Sequence, residues 1–188
     1  MEKKITAIIE LHKETILKLE NKIPEISEAA RKIISSLKDS NKILICGNGG
    51  SAADAQHMAA EFIGRFKKDR KPLPAVALTT DSSVLTSLGN DFGFKTVFSK
   101  QVEALGEKGD ILILISTSGK SENLIEAALS AEKAGMFSIA LLGKDGGRLK
   151  DRAGISIVVP SMDTARIQEA HSLIIHTICE LVEYSLFH

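Results

Sequence analysis

From residue 42 onward, the sequence alternates short, continuous apolar runs with segments of helical periodicity. The runs are rich in Ile, Leu and Val and predict strands at 42–46, 75–79, 110–115, 137–142 and 155–159. Helical patterns lie at 51–65, 94–105, 121–134 and 163–186. Strands that are apolar at every position are typical of a parallel sheet covered by helices on both faces. The pattern therefore predicts an α/β fold of three αβα layers, with a doubly wound parallel sheet of about five strands.

Two amphipathic helical patterns precede the first predicted strand. One covers residues 2–20, and the other follows Pro24, a residue type that favours the first turn of a helix. Their apolar stripes fit packing either on the body of the domain or on another subunit. A chain of 188 residues suits one domain. We therefore predict a single domain over residues 1–188, in which residues 1–40 form an N-terminal helical extension.

Charge and hydropathy narrow the classes of partner. Lys plus Arg and Asp plus Glu number 24 each, so net charge does not favour binding to nucleic acid or to an acidic surface. No apolar run approaches the roughly 20 residues of a membrane helix, and the N-terminus lacks the apolar core of a signal peptide. We expect Cys46 and Cys179 to be buried free thiols rather than a disulfide or metal ligands. These features predict a cytoplasmic protein with no nucleic-acid or membrane partner.

In folds of this class, ligands bind at the carboxyl ends of the strands. The loops to search are therefore 47–51, 80–91, 116–121 and 143–147. Residues 47–52, GNGGSA, formally match the dinucleotide pattern G-x-G-x-x-A. Asp81, the acidic residue near the end of the next strand, lies well beyond the usual spacing of about 20 residues. A tight turn explains the glycines, but it does not explain Asn48 and Ser51.

The loop after the third predicted strand is rich in hydroxyl groups. Its hydroxyl side chains are Ser116, Thr117, Ser118 and Ser121. A predicted helix follows, and the free backbone N–H groups and dipole at its N-terminus favour an anion. A helix cap uses one hydroxyl, so four exceed what capping needs. Because the pattern G-x-x-x-x-G-K-[ST] is absent, a monophosphate fits this loop better than a nucleoside triphosphate.

A histidine and an acidic residue share one face of the helix that follows the first loop. His57 and Glu61 are four residues apart, and an imidazole and a carboxylate can both bind a divalent ion. The last predicted helix adds Gln168, His171 and His176 as candidates. His176 lies eight residues after Gln168, a rise of roughly 12 Å. Spacing alone therefore slightly favours His171, unless the ion lies between Gln168 and His176 or another subunit supplies a ligand.

Five segments in order resemble the bacterial phosphoheptose isomerases, whose fold is the sugar isomerase (SIS) domain. They are CGNGGSAADAQH, GNDFGF, ISTSGKSENL, LLGKDGG and TARIQEAHSLIIH. The resemblance implies an aldose–ketose isomerase that converts sedoheptulose 7-phosphate to D-glycero-D-manno-heptose 7-phosphate through an enediol, the first step of ADP- or GDP-heptose precursor synthesis. It also implies a homotetramer and one zinc ion per subunit, although such a ligand set tolerates iron or manganese.

The resemblance further implies roles for individual residues. Substrate contacts fall on Asn48, Gly49, Gly50, Ser51, Glu61, Asn90, Asp91, Ser116, Thr117, Ser118, Ser121 and Gln168, and the four hydroxyl residues hold the phosphate. The zinc ligands fall on His57, Glu61, Gln168 and His176, which selects His176 over His171. Glu61 is then the proton shuttle, with His176 as its acid–base partner. Because a ligand and a base compete for the same lone pairs, the alternative is a zinc ion that is mainly structural or positioning.

Two alternatives belong to other classes of protein. The first is a non-catalytic SIS-domain regulator similar to the replication-initiator-associating protein, which shares the glycine loop but not the metal ligands. The second is a sensor that binds a sugar phosphate without turnover. Glu61, a carboxylate where catalysis needs one, favours the enzyme over the regulator.

Overall fold

Five strands form one parallel sheet. The computed structural model describes all 188 residues of the chain. The strands are β1 (Ile43–Gly47), β2 (Ala75–Ala77), β3 (Ile111–Ser116), β4 (Phe137–Gly143) and β5 (Ile155–Val159). Their order is β2-β1-β3-β4-β5, and every neighbouring pair is parallel. The predicted doubly wound parallel sheet is confirmed, and the direction of winding reverses between β1 and β3.

Seven helices surround the sheet. They are α1 (Glu2–Leu19), α2 (Ile23–Lys38), α3 (Gly50–Ile63), α4 (Ser82–Phe92), α5 (Ser99–Leu105), α6 (Glu122–Lys133) and α7 (Thr164–Phe187), and 3₁₀ turns lie at Glu20–Lys22, Phe94–Thr96 and Arg148–Asp151. Alternate residues of each strand face opposite sides. Ile43 and Ile45 pack with α2, α3 and α7, whereas Leu44 and Cys46 pack with α5 and α6. The predicted three-layer arrangement is confirmed.

Residues 80–91, predicted as a loop, are mostly helix α4. Asp81 is its N-cap, and the side chain accepts a hydrogen bond from the backbone N–H of Val84 at 3.0 Å. The prediction missed this helix because none of its residues is fully buried, so its apolar pattern is short. Asp81 is thus explained as a helix cap, without a dinucleotide. The helix predicted over 94–105 begins with a 3₁₀ turn and continues as α5.

The two N-terminal helices pack differently. Ala29 and Ile33 of α2 are fully buried in the core, and Pro24 lies in the first turn as predicted. In α1, only Thr15 and Leu19 are buried. The exposed apolar residues of α1 are Ile5, Ile8, Ile9, Leu11 and Leu17. Helix α2 is therefore part of the body of the domain, whereas most of the apolar stripe of α1 is uncovered in a single chain.

Both cysteines are buried free thiols, as predicted. Burial, together with a smaller effect of the Glu61 carboxylate, raises the pKa of Cys179 to about 12, and burial also raises the pKa of Cys46. Neither thiol therefore carries a charge near neutral pH. None of the helices combines the length and apolar character needed to cross a bilayer.

Candidate active site

The carboxyl ends of β1 and β3 bring two of the predicted loops together. The two strands are in register up to the pair Gly47 and Ile115. The side-chain amides of Asn48 and Asn123 then exchange two hydrogen bonds, each of 2.9 Å. Asn123 lies in the first turn of α6 and is only 3 % exposed. The glycine loop is therefore tied to the helix that follows the hydroxyl-rich loop.

The glycine loop presents its backbone rather than its side chains. Gly49 has a φ of +58°, and both Gly49 and Gly50 are exposed. A Cβ at Gly47 would lie 2.5 Å from the carbonyl oxygen of Ser51, so the turn into α3 leaves no room for a side chain there. Ser51, a predicted substrate contact, is only 4 % exposed. The part of this loop that is most open to a ligand is therefore the backbone at Gly49 and Gly50.

The loop after β4 packs against the hydroxyl-rich loop at Gly119. Gly119 has a φ of +63°, and a Cβ there would overlap the carbonyl group of Gly146. The Ser116 hydroxyl accepts a hydrogen bond from the Gly119 N–H at 3.0 Å. Ser121 is the N-cap residue of α6, yet its side chain makes no capping hydrogen bond. At least one hydroxyl of this loop is therefore available at the N-terminus of α6.

Three candidate ligands meet between α3 and α7. His57 Nε2 lies 3.2 Å from Glu61 Oε1 and 3.3 Å from His176 Nε2. One ligand atom from each residue lies within 4.8 Å of the others. Tetrahedral zinc ligands with bonds of about 2.0–2.1 Å are themselves about 3.3 Å apart, so the spacing and the donor types both fit a divalent ion. The side chains of His57 and Glu61 are 42 % and 22 % exposed, which leaves the cluster accessible to a ligand.

Helix α7 directs His171 and His176 to different neighbours. His171 is fully buried, and its Nε2 lies 3.0 Å from the carbonyl oxygen of Leu142 in β4. The preference for His171 from spacing alone is therefore wrong. Five residues of an α-helix turn through about 140°, so His171 faces the sheet while His176 faces α3.

Gln168 lies near the glycine loop. A Cβ at Gly50 would overlap its side-chain amide, so the glycine permits this contact. Gly50 and His57 are seven residues apart on α3, and Gln168 and His176 are eight apart on α7. Because the two helices lie side by side with matching separations, Gln168 stands beside the loop and His176 beside the cluster. The role of Gln168 as a fourth ligand stays a prediction.

Asn90 and Asp91 are not part of the His57, Glu61 and His176 cluster within a single chain. Both are exposed near the end of α4, and the Asn90 amide donates to the Asp91 carboxylate at 2.7 Å. The adjacent aromatic residues Phe92 and Phe94 are 55 % and 62 % exposed. The role of Asn90 and Asp91 as substrate contacts stays a prediction.

Sequence reasoning missed two polar residues of this region. In the sequence, Asn123 is an amide residue near the start of a predicted helix, and nothing there indicated its pairing with Asn48. Asp54 precedes His57 by one turn of α3, and its Oδ2 is buried without a hydrogen-bond partner. Burial raises the pKa of Asp54, and the nearby His57 lowers it in part. Asp54 lies in the segment CGNGGSAADAQH and Asn123 in ISTSGKSENL, but no spacing rule marked either side chain as part of the site.

Comparison with known proteins identifies relatives along the whole chain. The family model for the SIS domain matches residues 7–143. A phosphoheptose isomerase from Geobacter metallireducens is 50 % identical over 188 residues, which cover 100 % of both chains. The structure of a phosphoheptose isomerase from Neisseria gonorrhoeae superposes with a TM-score of 0.91 at 46 % identity, covering 97 % of this chain and 98 % of that one. Another, from Francisella tularensis, gives a TM-score of 0.94 at 40 % identity, with 97 % of each chain covered.

His171 should make stability fall at acidic pH. Burial lowers its pKa from 6.5 to about 4, and the hydrogen bond to Leu142 opposes this shift. Between these values the unfolded chain binds a proton that the folded chain does not, so stability is lost as the pH falls. The loss from this group between pH 7.5 and pH 5 is roughly 2 kcal/mol. We therefore expect the free energy of unfolding of His171→Asn, measured with urea, to decrease between pH 7.5 and pH 5 by about 2 kcal/mol less than that of the wild-type protein. An equal decrease in both proteins would contradict the prediction.

Proposed function

The chain belongs to the phosphoheptose isomerases, a family of SIS-domain enzymes, and on that basis we propose that it converts sedoheptulose 7-phosphate to D-glycero-D-manno-heptose 7-phosphate. As a member of this family it is an isomerase, rather than the regulator or the sensor considered above. The observation that carries the proposal is the meeting of His57, Glu61 and His176 in one cluster, on the helix that begins at the glycine loop and its neighbour α7. That arrangement gives a sugar phosphate one region for its phosphate and another for its reacting carbons.

The proposed reaction moves one proton between neighbouring carbons. Glu61 takes a proton from C1 of the ketose, and O2 receives a proton from His176, which yields the enediol. O1 then returns a proton to His176 while Glu61 delivers its proton to C2, which yields the aldose. His176 lies 3.3 Å from His57, itself 3.2 Å from Glu61, so the two proposed groups act on one small region of substrate. General acid–base groups of this kind need hydrogen-bond reach to the protons they move.

We further propose that His57, Glu61, Gln168 and His176 hold one zinc ion. When bound, zinc supplies a Lewis acid that polarises the substrate carbonyl. An imidazole and carboxylate set also accepts iron or manganese. Coordination of Glu61 competes with its use as a base, and coordination of His176 competes with its use as an acid. A mainly structural or positioning role for the ion is therefore the alternative, and the experiment with Glu61→Gln below separates the two.

The hydroxyl-rich loop is proposed to hold the phosphate group. Thr117, Ser118 and Ser121 are partly accessible and precede the N-terminus of α6, where backbone N–H groups and the helix dipole favour an anion. Nδ2 and Oδ1 of Asn48 are both bonded to Asn123, which fixes the direction of the second N–H and of the second lone pair that a ligand could use. Binding at the phosphate end would hold the reacting carbons in register with Glu61.

We also propose that four copies of the chain assemble. The apolar stripe of α1 is uncovered in a single chain, and so are Phe92 and Phe94 beside Asn90 and Asp91. Monomers seldom expose apolar groups in several such patches. Packing of subunits at α4 would bring Asn90 and Asp91 to a partner's surface, which is consistent with their predicted role in binding substrate.

The central experiment follows sedoheptulose 7-phosphate by NMR. The wild-type protein should form the aldose, and Glu61→Gln should lower kcat by roughly 10²–10⁴-fold, the range typical of losing a general base. The amide keeps the size of the side chain but removes the charge and the basic lone pair. Absence of any aldose with the wild-type protein, with and without added divalent metal, would refute the proposed reaction.

Zinc titration into Glu61→Gln assigns the role of this residue. If Glu61 is the base, the variant should bind substrate and metal and still not turn over. If excess zinc restores much of the rate, Glu61 serves as a ligand only. In that case His176 becomes the leading candidate for the base.

Replacing both Ser118 and Ser121 by Ala should weaken binding of the phosphorylated substrate. Hydrogen bonds to a charged group contribute about 1.5–3 kcal/mol each, so KM should rise at least tenfold. Sedoheptulose without its phosphate serves as the control, because its poor turnover should be equal in the two proteins. An unchanged KM for the phosphorylated sugar would show that the loop has another role.

Light scattering at micromolar concentration should give the mass of a tetramer. Ile5→Asp combined with Ile9→Asp places charges on the uncovered stripe of α1 and should shift the protein to smaller species. A fully active wild-type monomer at this concentration would contradict the proposed assembly.

A further inference from the structure

We propose that Arg70 and Glu183 are positioning residues of the isomerase: a buried ion pair behind the active site that sets the relative position of α3 and α7. Arg70 lies in the segment after α3, and Glu183 lies near the end of α7. Arg70 Nε and Glu183 Oε2 are 3.0 Å apart, and the two side chains are only 2 % and 4 % exposed. This inference rests on the proposed function, because it assigns the pair a task in that reaction.

The Arg70 guanidinium caps the end of the helix that carries Glu61. Nη2 donates to the backbone carbonyl of Glu61 at 2.8 Å, and Nη1 donates to that of Phe62 at 2.9 Å. The last carbonyl groups of a helix have no partner within the helix, and the helix dipole favours a positive charge there. Arg70 therefore binds the backbone of the residue proposed as the base, as well as that of its neighbour.

The Glu183 carboxylate holds the segment that follows α3. It accepts hydrogen bonds from the backbone N–H groups of Phe66, Lys67 and Lys68 at 3.2, 3.0 and 2.9 Å. Burial alone would raise the pKa of Glu183, but these donors and Arg70 outweigh it and hold the pKa below its usual value. The carboxylate is therefore charged near neutral pH, and its oxygens are occupied by donors from one short segment.

The same segment places an aromatic ring against the proposed acid–base partner. The Phe66 ring centroid lies 5.5 Å from that of His176, and the His57 ring centroid lies 4.9 Å from the same imidazole. Glu183 follows His176 by seven residues, about two turns of α7, so both lie on the same side of that helix. One ion pair thus fixes the backbone of Glu61, the ring that packs on His176 and the helix that carries His176.

A buried ion pair is weak evidence for a role in stability. Its desolvation can cost more than the attraction returns, and apolar replacements of similar volume are often equally stable. The contacts of this pair are instead directional. A guanidinium donates in a fixed planar fork, which a lysine ammonium cannot reproduce. Arg70 reaches only the backbone of Glu61, and the Glu183 carboxylate binds the segment after α3, so the pair acts through the positions of the residues it holds.

The test uses Arg70→Lys and Glu183→Gln in the full-length protein, with Glu180→Gln as the matched control. Glu180 is on the same helix and pairs with Lys67 of the same segment at 2.7 Å, but both side chains are more than half exposed. The two variants of the buried pair should lower kcat at least tenfold and change the KM for sedoheptulose 7-phosphate less than threefold. The imidazole NMR signals of His57 and His176 in the metal-free protein should shift in both variants and stay in place in Glu180→Gln.

A loss of stability alone would leave those imidazole signals unchanged in the folded fraction, and this result would overturn the proposal. If a single variant does not fold, Arg70→Met combined with Glu183→Leu replaces the pair by apolar side chains of similar size. A folded double variant with wild-type kcat and imidazole signals would likewise overturn it. If the wild-type protein forms no aldose, the proposed function fails, while the imidazole signals still decide whether the pair positions the histidines.

Discussion

The parallel pairing of β1 with β3 is the constraint on which the candidate site depends. Because the winding of the sheet reverses at this pair, the loops after the two strands leave the same edge and no crossover helix lies between them. One loop is rich in glycine and the other in hydroxyl groups, and the Asn48–Asn123 amide pair joins them. A one-step change in strand order would separate these loops and leave two unrelated turns.

The helices that leave the site differ in what they must provide. Helix α6 supplies an N-terminus, which any buried helix in that place would offer. Helices α3 and α7 must supply three side chains within 4.8 Å, and they do so across an apolar interface that includes Met58, Phe62 and Ile175. Apolar packing is not directional, so it tolerates a small slide of one helix on the other. In the proposal above, the hydrogen bonds of Arg70 and Glu183 restrict such a slide, which gives the charged pair a task beside these apolar contacts.

Local patterns in the sequence sufficed for the sheet, for most helices and for the two loops. Continuous apolar runs predicted all five strands to within two residues, because a buried parallel strand needs no partner-specific signal. Helix α4 was missed, since a helix with no buried residue has little periodicity. Sequence spacing alone also could not distinguish His171 from His176 as the candidate ligand. It depends on which side of α7 meets the sheet, and the choice of His176 came from the resemblance to a family.

Contacts between distant parts of the chain were the least predictable. Asn48 and Asn123 are 75 positions apart, and Arg70 and Glu183 are 113 apart. A buried amide pair or ion pair has no spacing rule, because either member alone resembles an ordinary surface residue in the sequence. The glycines of the first loop were partly predictable. The segment GNGGSA indicated a turn, but the need for a glycine at position 50 follows from the Gln168 amide of α7, which packs where a Cβ would lie. Motifs therefore indicate the groups that touch a ligand, whereas the residues that aim those groups emerge only once the helices are placed.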